Sequence, residues 1–417
     1  MADLQAKAAG MSEHDIIRLG HQGDGIAEGP VFAPLTLPGE RVSGTLVGQT
    51  LTEVRIVTPS ADRVTAPCRH FRSCGGCQVQ HGSDGFVADW KQDLVRSALS
   101  AHGITPEFLP IHVSPPQSRR RATFAAKRTK KGAMAGFHAR GSDVIIEVPD
   151  CRLLHPDVIR GLVVASDLAE IGTSRKAVLA VSVTQSRAGL DVAVMDGKPL
   201  DGPLRIALAS LAERHDLARL AWGDEVVVTR RTPEQMFGAA RVVPPSGAFL
   251  QATAEGEAAL LAETETILAG ARRIVDLFSG CGTFALPIAQ RAQVHAVEGD
   301  AAMLAALDAG RRGVDGLYPL STEARDLFRR PLLPDELSRF DAAVIDPPRA
   351  GAEAQISEIA KSRLRCLAYV SCNPVTFARD ARVLLAAGYK MGPVRVVDQF
   401  RWSSHVELVA GFRLNIA

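Results

Sequence analysis

The sequence lacks any hydrophobic run long enough to cross a membrane, and its first residues lack the hydrophobic segment of a signal peptide. It also lacks a strong net charge, because 48 basic and 46 acidic residues give 48 − 46 = +2. The total charge therefore does not by itself indicate a polyanionic partner. We expect a cytoplasmic protein whose 417 residues form two or three domains, each with its own hydrophobic core.

Cysteine is scarce, and its odd count of seven argues against a disulfide framework in a reducing compartment. Metal ligation and thiolate chemistry are the roles that remain. Cys68, Cys74 and Cys77 form a C-x5-C-x2-C pattern, and Cys151 in "VPDCRLL" is a possible fourth ligand. Four thiolates suit either a zinc ion or a [4Fe–4S] cluster, and composition alone does not decide between them.

The pattern of glycine, proline and apolar residues divides the chain into three predicted domains. Short β-like runs separated by Gly and Pro predict a small β-barrel of the OB type at residues 1–60. Residues 61–240 are predicted as a β-rich α+β domain, with a helix at about 86–102 and a single further helix at about 200–215. Alternating strands and helices in residues 241–417 predict a Rossmann-like, parallel, doubly wound sheet. The final "HVELVAGFRL" is predicted as an antiparallel edge strand.

A glycine-rich turn in "DLFSGCGTF" is predicted to bind a nucleotide-type cofactor. Phe278, Gly280 and Gly282 lie between a predicted strand and a helix N-terminus, whose free N–H groups can bind a ligand. Glu298 ends the next strand, where a carboxylate can accept both hydroxyls of a ribose. Asp326, after the third strand, is positioned to contact an adenine amino group. NAD and S-adenosylmethionine both fit this arrangement.

Two more chemically active side chains are predicted at the carboxyl ends of neighbouring strands. Asp346 in "VIDPPRAG" follows the fourth strand, and Cys372 in "VSCNP" follows the fifth. Ligands bind outside the carboxyl ends of strands in open α/β sheets, so both side chains should point into one crevice. Cys281 and Cys366 are instead predicted to be small buried hydrophobic residues.

A thiol beside a methyl-donor site has a specific use in uracil chemistry. The C5 carbon of uracil is too weak a nucleophile to attack a sulfonium methyl group, whereas addition of a thiolate to C6 produces an enolate that can. A base must then remove the C5 proton so that the thiol is expelled. The sequence therefore predicts Cys372 as a covalent nucleophile and Glu407, in "SSHVELV", as the base.

These motifs resemble the RNA uridine-C5 methyltransferases, specifically the iron–sulfur branch that acts on 23S ribosomal RNA. "DLFSGCGTF", "DPPRAG", "SCNP" and "HVE" follow one another in the order typical of that family. The resemblance also covers the cysteine cluster, including "CGGCQ-x-QH", and the N-terminal barrel, which resembles a TRAM domain. It therefore extends over nearly the whole chain.

The resemblance implies S-adenosylmethionine as the methyl donor and a [4Fe–4S] cluster, rather than zinc, at the four cysteines. It implies that Gln251 in "GAFLQAT" contacts the donor together with Glu298 and Asp326, and that Asp346 contacts the donor and lies near the substrate base. It also implies the same roles for the nucleophile and the base. Two departures from the family pattern are Thr253, where Asn is usual, and "FRWSSHVE", which replaces a segment with Pro-His-Thr.

A basic run at residues 118–131, "SRRRATFAAKRTKK", contains no acidic residue and is predicted to contact RNA phosphates. A solvated face without a ligand is the alternative. Phe124 within the run could stack on a base or belong to the core. The barrel offers a second RNA surface, and a target uridine must be flipped out to reach Cys372. The basic residues are Arg119, Arg120, Arg121, Lys127, Arg128, Lys130 and Lys131.

The leading hypothesis is therefore methylation of C5 of a uridine in 23S rRNA, before the ribosome is fully assembled. The alternatives are the T-loop uridine of tRNA, and a metal-stabilised RNA-binding or ribosome-assembly factor without catalytic activity. We expect a monomer that has no membrane partner.

Overall fold

The computed structural model describes residues 11–414 and arranges them around three β-sheets. These are a closed five-stranded barrel, a seven-stranded sheet and an eight-stranded sheet, with a separate two-stranded hairpin. In this range no helix is long and apolar enough to span a membrane.

The barrel confirms the small N-terminal barrel that the sequence predicts, although residues 1–10 lie outside the described part of the chain. Its strand order is β1-β2-β3-β5-β4. Alternate residues point inward as a pleated strand requires, so that Ile16, Val31, Val42 and Leu51 form its core. The strands are β1 (Met11–Leu19), β2 (Gly25–Ala27), β3 (Val31–Ala33), β4 (Arg41–Val47) and β5 (Thr50–Thr58).

The middle of the chain builds the seven-stranded sheet, in the order β13-β12-β11-β10-β7-β8-β9. The pair β14 and β15 forms the separate hairpin. The elements are α1 (Asp84–Ser100), β6 (His112–Val113), β7 (Arg121–Arg128), β8 (Ala133–His138), β9 (Ile145–Ile146), α2 (Pro156–Gly172), β10 (Leu179–Ser186), β11 (Gly189–Met195), α3 (Gly202–Arg214), β12 (Arg219–Trp222), β13 (Glu225–Thr229), β14 (Gln235–Phe237) and β15 (Ala240–Val242).

The prediction of a single further helix in this region is wrong, because α2 precedes the helix predicted at about 200–215. Helix α2 begins with Pro156 at its first position and His155 as its N-cap, which accepts from the Asp157 amide. Its valines and central glycine have low helix propensity, so local sequence favours a strand. Burial overrides that preference, since Val158 and Leu162 pack into the same core as β7 and β10.

The C-terminal part of the chain builds the eight-stranded sheet, in the order β18-β17-β16-β19-β20-β22-β21-β6. Strands β16 to β20 are parallel, which confirms the Rossmann-like prediction. The elements are α4 (Ala254–Ile267), β16 (Arg273–Leu277), α5 (Ala285–Ile288), β17 (Gln293–Glu298), α6 (Ala301–Arg312), β18 (Leu320–Ala324), α7 (Pro334–Leu337), β19 (Ala342–Ile345), α8 (Glu353–Lys361), β20 (Cys366–Ser371), α9 (Pro374–Ala386), β21 (Tyr389–Asp398) and β22 (Glu407–Leu414).

The predicted position of the last strand is wrong, although its direction is correct. Strand β22 runs antiparallel between β20 and β21 inside the sheet. The edge beyond β21 is formed by β6, which pairs His112 with Val397 and Val113 with Asp398. Residues 84–113 therefore pack with the C-terminal sheet, and Val95 and Leu99 of α1 share a core with Phe377 of α9. The three-domain division at 60 and 240 stays a prediction.

Candidate active site

Three of the predicted catalytic side chains meet at the carboxyl edge of the eight-stranded sheet. Asp346 follows the end of β19 and Cys372 follows the end of β20, its neighbour in the sheet. Glu407 begins β22, which runs in the opposite direction, and the pairing of Ser371 with Leu408 brings it to the same edge. The topology thus joins residues that the sequence separates widely.

Two glutamines fix the Asp346 carboxyl. Gln251 is buried and donates from Nε2 to Asp346 Oδ2 at 3.3 Å. Gln399 donates from Nε2 to Gln251 Oε1 at 2.5 Å and accepts the Ala252 amide at 2.7 Å. Gln399 was not predicted as a site residue. Its position directly after β21 is the only sequence signal, because the end of β21 lies beside the beginning of β22.

Burial controls the protonation of all three catalytic candidates. It raises the pKa of Asp346 to about 7. Burial, followed by the neighbouring Asp346, raises the pKa of Glu407 well above its usual range. The pKa of the Cys372 thiol is raised to about 12, first by burial and then by the carboxyls of Glu407 and Asp346. A carboxylate with a raised pKa is a stronger base, as proton abstraction from carbon requires.

Cys372 is half-buried and lies on a cavity of about 620 Å³. Arg349 and His405 line this cavity from the C-terminal part of the chain. The opposite side of the cavity is formed by the barrel, whose residues His21 and Asp24 lie in the turn between β1 and β2. The sequence did not predict that the barrel reaches the site, since this contact depends on how the two sheets pack.

We expect alkylation of Cys372 by iodoacetamide to accelerate about tenfold per pH unit between roughly pH 8 and 10. The thiolate is the reactive form, and its fraction rises tenfold per unit while the pH stays below the raised pKa. Timed labelling followed by mass spectrometry of the Cys372 peptide measures this rate, with Cys372→Ser as control. A plateau above about pH 8.5, as for an ordinary cysteine, would contradict the raised pKa.

The glycine-rich turn has the backbone of a ligand cradle. Gly280 and Gly282 adopt φ of 54° and 98°, and the preceding Phe278 also lies in the left-handed region at 62°. Glu298 accepts the Gly280 amide at 2.9 Å and the Asp300 amide at 2.9 Å, so both of its oxygens are oriented. The turn continues into α5, a single helical turn.

Buried polar atoms without partners lie at the same turn. Within residues 11–414, the hydroxyl of Ser279 and both carboxyl oxygens of Asp276 are buried and have no side-chain hydrogen bond. Burial raises the pKa of Asp276 well above its usual range. Leaving a buried hydroxyl unpaired is unfavourable by about 1–3 kcal/mol, so a polar ligand at this turn would stabilise Ser279.

Asp326 lies beside an aromatic pair next to this turn. Its carboxylate accepts the amides of Phe328 and Arg329 at 3.0 and 3.3 Å. The rings of Phe328 and Phe278 are 5.3 Å apart, and Phe328 is half exposed. This arrangement offers a flat apolar surface next to a carboxylate. Contact between Asp326 and an adenine stays a prediction.

The four cysteines of the predicted cluster lie together although Cys151 is distant in sequence. Cys68, Cys74, Cys77 and Cys151 are buried and line one cavity of about 350 Å³. The pKa of Cys77 is raised to about 12, first by burial and then by the other three cysteines, with Gln80 opposing the shift. Among residues 11–414, no group of three or more His, Cys, Asp or Glu side chains is arranged to hold a metal ion.

The basic run at residues 118–131, which is predicted to contact RNA phosphates, is divided between buried and exposed positions. Arg120 is buried, where it donates to the Gln251 carbonyl at 2.9 Å and to Glu257 at 2.5 Å. It therefore joins the beginning of β7 to the segment around α4, and its predicted contact with RNA phosphates stays a prediction. Phe124 is fully buried in the core. The alternation of β7 explains both results, since neighbouring side chains point to opposite faces.

The other basic residues separate into two groups. Arg119 and Arg121 are half-buried near the site, and Arg121 stacks over Phe249 at 4.3 Å. Contact of the remaining basic residues with RNA stays a prediction. The second group occupies the distant end of β7 and the turn after it, and consists of Lys127, Arg128, Lys130 and Lys131.

A buried lysine that the sequence did not predict holds the segment in front of Glu407. Lys91 of α1 is fully buried and pairs with Asp398 at 2.5 Å. It also donates to the carbonyls of Phe400 and His405, each at 3.0 Å. An apolar helix face with a single lysine is the only sequence signal for such a role.

The chain is similar to a known protein family and to several of its members. A family model described as tRNA (Uracil-5-)-methyltransferase matches residues 321–414. An uncharacterized RNA methyltransferase of Brucella suis is 45% identical over 94% of this chain and 95% of its own length. The 23S rRNA (uracil(1939)-C(5))-methyltransferase RlmD of Chromohalobacter salexigens is 32% identical over 96% of this chain and 88% of its own. The chain belongs to the RNA uracil-5-methyltransferase family.

Family membership confirms the prediction that the protein is a methyltransferase enzyme. The fold agrees with a solved structure, the tRNA (uracil-54, C5)-methyltransferase of Pyrococcus abyssi in complex with S-adenosyl-L-homocysteine. The two share 20% sequence identity with a TM-score of 0.72, over 96% of this chain and all of the other. The uracil-5-methyltransferase fold thus extends over nearly the whole chain.

Proposed function

We propose that this methyltransferase transfers the methyl group of S-adenosylmethionine to C5 of a uridine in 23S rRNA, through a covalent bond between Cys372 and C6. The observation that carries the proposal is the meeting of Cys372, Asp346 and Glu407 at one sheet edge. The name of the Chromohalobacter relative supports a ribosomal substrate. A tRNA uridine is the alternative, because the matching family model carries a tRNA name.

The proposed reaction uses Cys372, the methyl donor and Glu407 one after another. The Cys372 thiol releases its proton to solvent and its sulfur adds to C6, so that the S–C6 bond forms and the C5=C6 π electrons move into an enolate. The donor would supply a methyl group on a positively charged sulfur. C5 takes that methyl group as the bond between the methyl carbon and this sulfur breaks, which leaves S-adenosylhomocysteine. Glu407 then removes the C5 proton, the C5=C6 bond forms again, and the Cys372 thiolate leaves.

The glycine-rich turn supports a donor site beside these groups. Its residues fit S-adenosylmethionine, because Glu298 is oriented for two ribose hydroxyls and the Ser279 hydroxyl is buried without a side-chain partner in the described chain. Phe278 and Phe328 would cover the adenine, with Asp326 at its amino group. Gln251 would contact the donor while holding Asp346 near the substrate base.

We propose that the four cysteines hold a [4Fe–4S] cluster and that the barrel is a TRAM domain. The four buried thiols line one cavity, and four thiolates suit either a zinc ion or a [4Fe–4S] cluster. We prefer the [4Fe–4S] cluster because the cysteine motif resembles that of the iron–sulfur branch of the family. The proposed role of the cluster is to fasten the loop around residues 68–80 to the seven-stranded sheet.

Trapping with 5-fluorouridine tests the proposed chemistry. Fluorine at C5 cannot leave as a proton, so the wild type should stall as a covalent RNA–protein adduct with fluorinated 23S rRNA fragments and S-adenosylmethionine. Cys372→Ala should form none. Sequencing the attached fragment would identify the uridine, and fluorinated tRNA in a parallel reaction distinguishes the two RNA classes.

The same experiment decides the alternative of a non-catalytic RNA-binding factor. Folded wild-type protein that binds both the donor and the RNA, but forms no adduct with either RNA, would exclude the covalent mechanism. Cytoplasmic location and a monomeric state remain predictions, and ribosomal RNA is the proposed partner.

A further inference from the structure

The barrel contributes a preformed turn to the cavity that contains Cys372. The turn is closed by hydrogen bonds from the Gly20 amide to the Asp24 carbonyl at 2.7 Å and from the Gly23 amide to the Gly20 carbonyl at 2.9 Å. Gly23 has φ of 88°, and a Cβ there would lie 2.9 Å from Gln78 Cβ. The turn therefore fits closely against the cysteine loop, which fixes the position of Asp24.

Polar atoms on this side of the cavity are buried without complete hydrogen bonding. In the described part of the chain, Asp24 Oδ1, Gln78 Oε1 and Arg140 Nε have no hydrogen-bond partner. Each of the two longer side chains is nevertheless held in place. Gln78 donates to the Gly75 carbonyl at 3.0 Å, and Arg140 donates to the Cys77 carbonyl at 3.0 Å.

Asp24 and Arg140 form a pair of opposite charges on this side of the cavity. Arg140 Nη1 lies 3.8 Å from Asp24 Oδ1, longer than a hydrogen bond, with both side chains about one-third exposed. This side of the cavity thus contains two buried acceptors and one buried donor whose hydrogen bonding is incomplete. A ligand that supplies both N–H groups and a carbonyl oxygen would complete the hydrogen bonding of all three residues.

The cavity is large enough for more than the target base. Its volume of about 620 Å³ lies in the range of about 300–1,000 Å³ that encloses drug-sized ligands. The target uracil must lie against Cys372. A neighbouring nucleotide can then occupy the side formed by the barrel turn, because a flipped uridine brings its backbone neighbours to the mouth of the same cavity.

We propose that Asp24, Gln78 and Arg140 bind an unpaired guanine next to the target uridine and so determine which uridine is methylated. Guanine offers its neighbouring N1–H and N2–H donors to the two acceptors, Asp24 Oδ1 and Gln78 Oε1, and its O6 accepts from Arg140. Uracil and adenine each lack the paired donors, and cytosine has one amino group. This inference rests on the proposed uridine methylation and specifies its substrate.

Covalent capture from a randomised RNA pool tests this inference. The pool carries one fixed 5-fluorouridine in a loop, with randomised nucleotides on both sides, and reacts briefly with S-adenosylmethionine and enzyme. Sequencing of wild-type adducts should show guanine enriched at one flanking position. The enrichment should be on the order of tenfold, as for the loss of one good bidentate contact to a base. Inosine at that position, which lacks the N2 amino group, should slow adduct formation similarly.

The variants separate recognition from catalysis. Asp24→Asn should lose the guanine preference and the inosine effect while still forming adducts. Asp143→Asn, an exposed aspartate on the turn after β8, should keep both. A wild type that forms adducts without a flanking preference, or a preference unchanged in Asp24→Asn, would overturn the inference. Absence of any wild-type adduct would instead overturn the proposed function.

Discussion

Replacement of Glu407 by glutamine should leave methylated RNA covalently attached to the enzyme. The substitution keeps the size and shape of the side chain but removes the base, so C5 keeps its proton and Cys372 cannot be expelled. Turnover should fall by about 10²–10⁴-fold, the range for loss of a general base. A donor with a radiolabelled methyl group would show the label in the protein–RNA adduct on a denaturing gel, with unmodified uridine as substrate.

Two controls make this result specific to Glu407. The double variant Cys372→Ala with Glu407→Gln should form no adduct, and Glu353→Gln, on the exposed start of α8, should behave as the wild type. Glutamine also suits the site, because Glu407 is only 2% exposed and a neutral amide costs less to bury than a carboxylate. Release of methylated RNA from Glu407→Gln at the wild-type rate would show that another group is the base.

Replacement of Lys91 by methionine should lower the free energy of unfolding by about 3–5 kcal/mol, the usual effect of removing one partner from a buried ion pair. The change leaves the Asp398 carboxylate, 1% exposed, without its cation. It also removes the donor to the Phe400 and His405 carbonyls. Urea unfolding followed by circular dichroism measures the effect, and Lys176→Met, at an exposed loop position, is the matched control.

A double variant separates the ion pair from the rest of the lysine contacts. Asp398→Asn added to Lys91→Met removes the uncompensated charge and should restore part of the lost stability, since interacting residues are not additive. Unchanged stability in Lys91→Met would show that the buried pair contributes nothing to the fold.

The sequence predicts which residues lie at the carboxyl edge of the sheet, because these residues directly follow parallel strands. Asp346 and Cys372 each follow an apolar strand, and in a doubly wound sheet all such ends lie on one side. Local pattern is enough for this result. The same pattern does not reveal that β22 enters the interior of the sheet, because an antiparallel strand buried on both faces has the composition of any buried strand.

The features that the sequence misses all depend on contacts between distant segments. Arg120 lies in a run of basic residues that is typical of an exposed surface. Its partner Glu257 belongs to α4, far along the chain, so a local sequence pattern cannot reveal the ion pair. Gln399 and Lys91 are single polar residues whose roles arise from burial against other elements. The turn at Asp24 is predictable as a turn, but its arrival at the Cys372 cavity is a property of domain packing.

Strand β6 has a consequence for the order in which the protein can fold during synthesis. It completes the edge beyond β21, and on either side of it the Leu109 amide donates to the Val394 carbonyl and the Ser114 amide donates to the Asp398 carbonyl of β21. The ribosome makes β6 long before it makes β21. The backbone N–H and C=O groups of β6 therefore have no strand to pair with until β21 has been made. The catalytic sheet therefore cannot close until nearly the whole chain has left the ribosome, and a nascent chain exposes this edge to other strands until then.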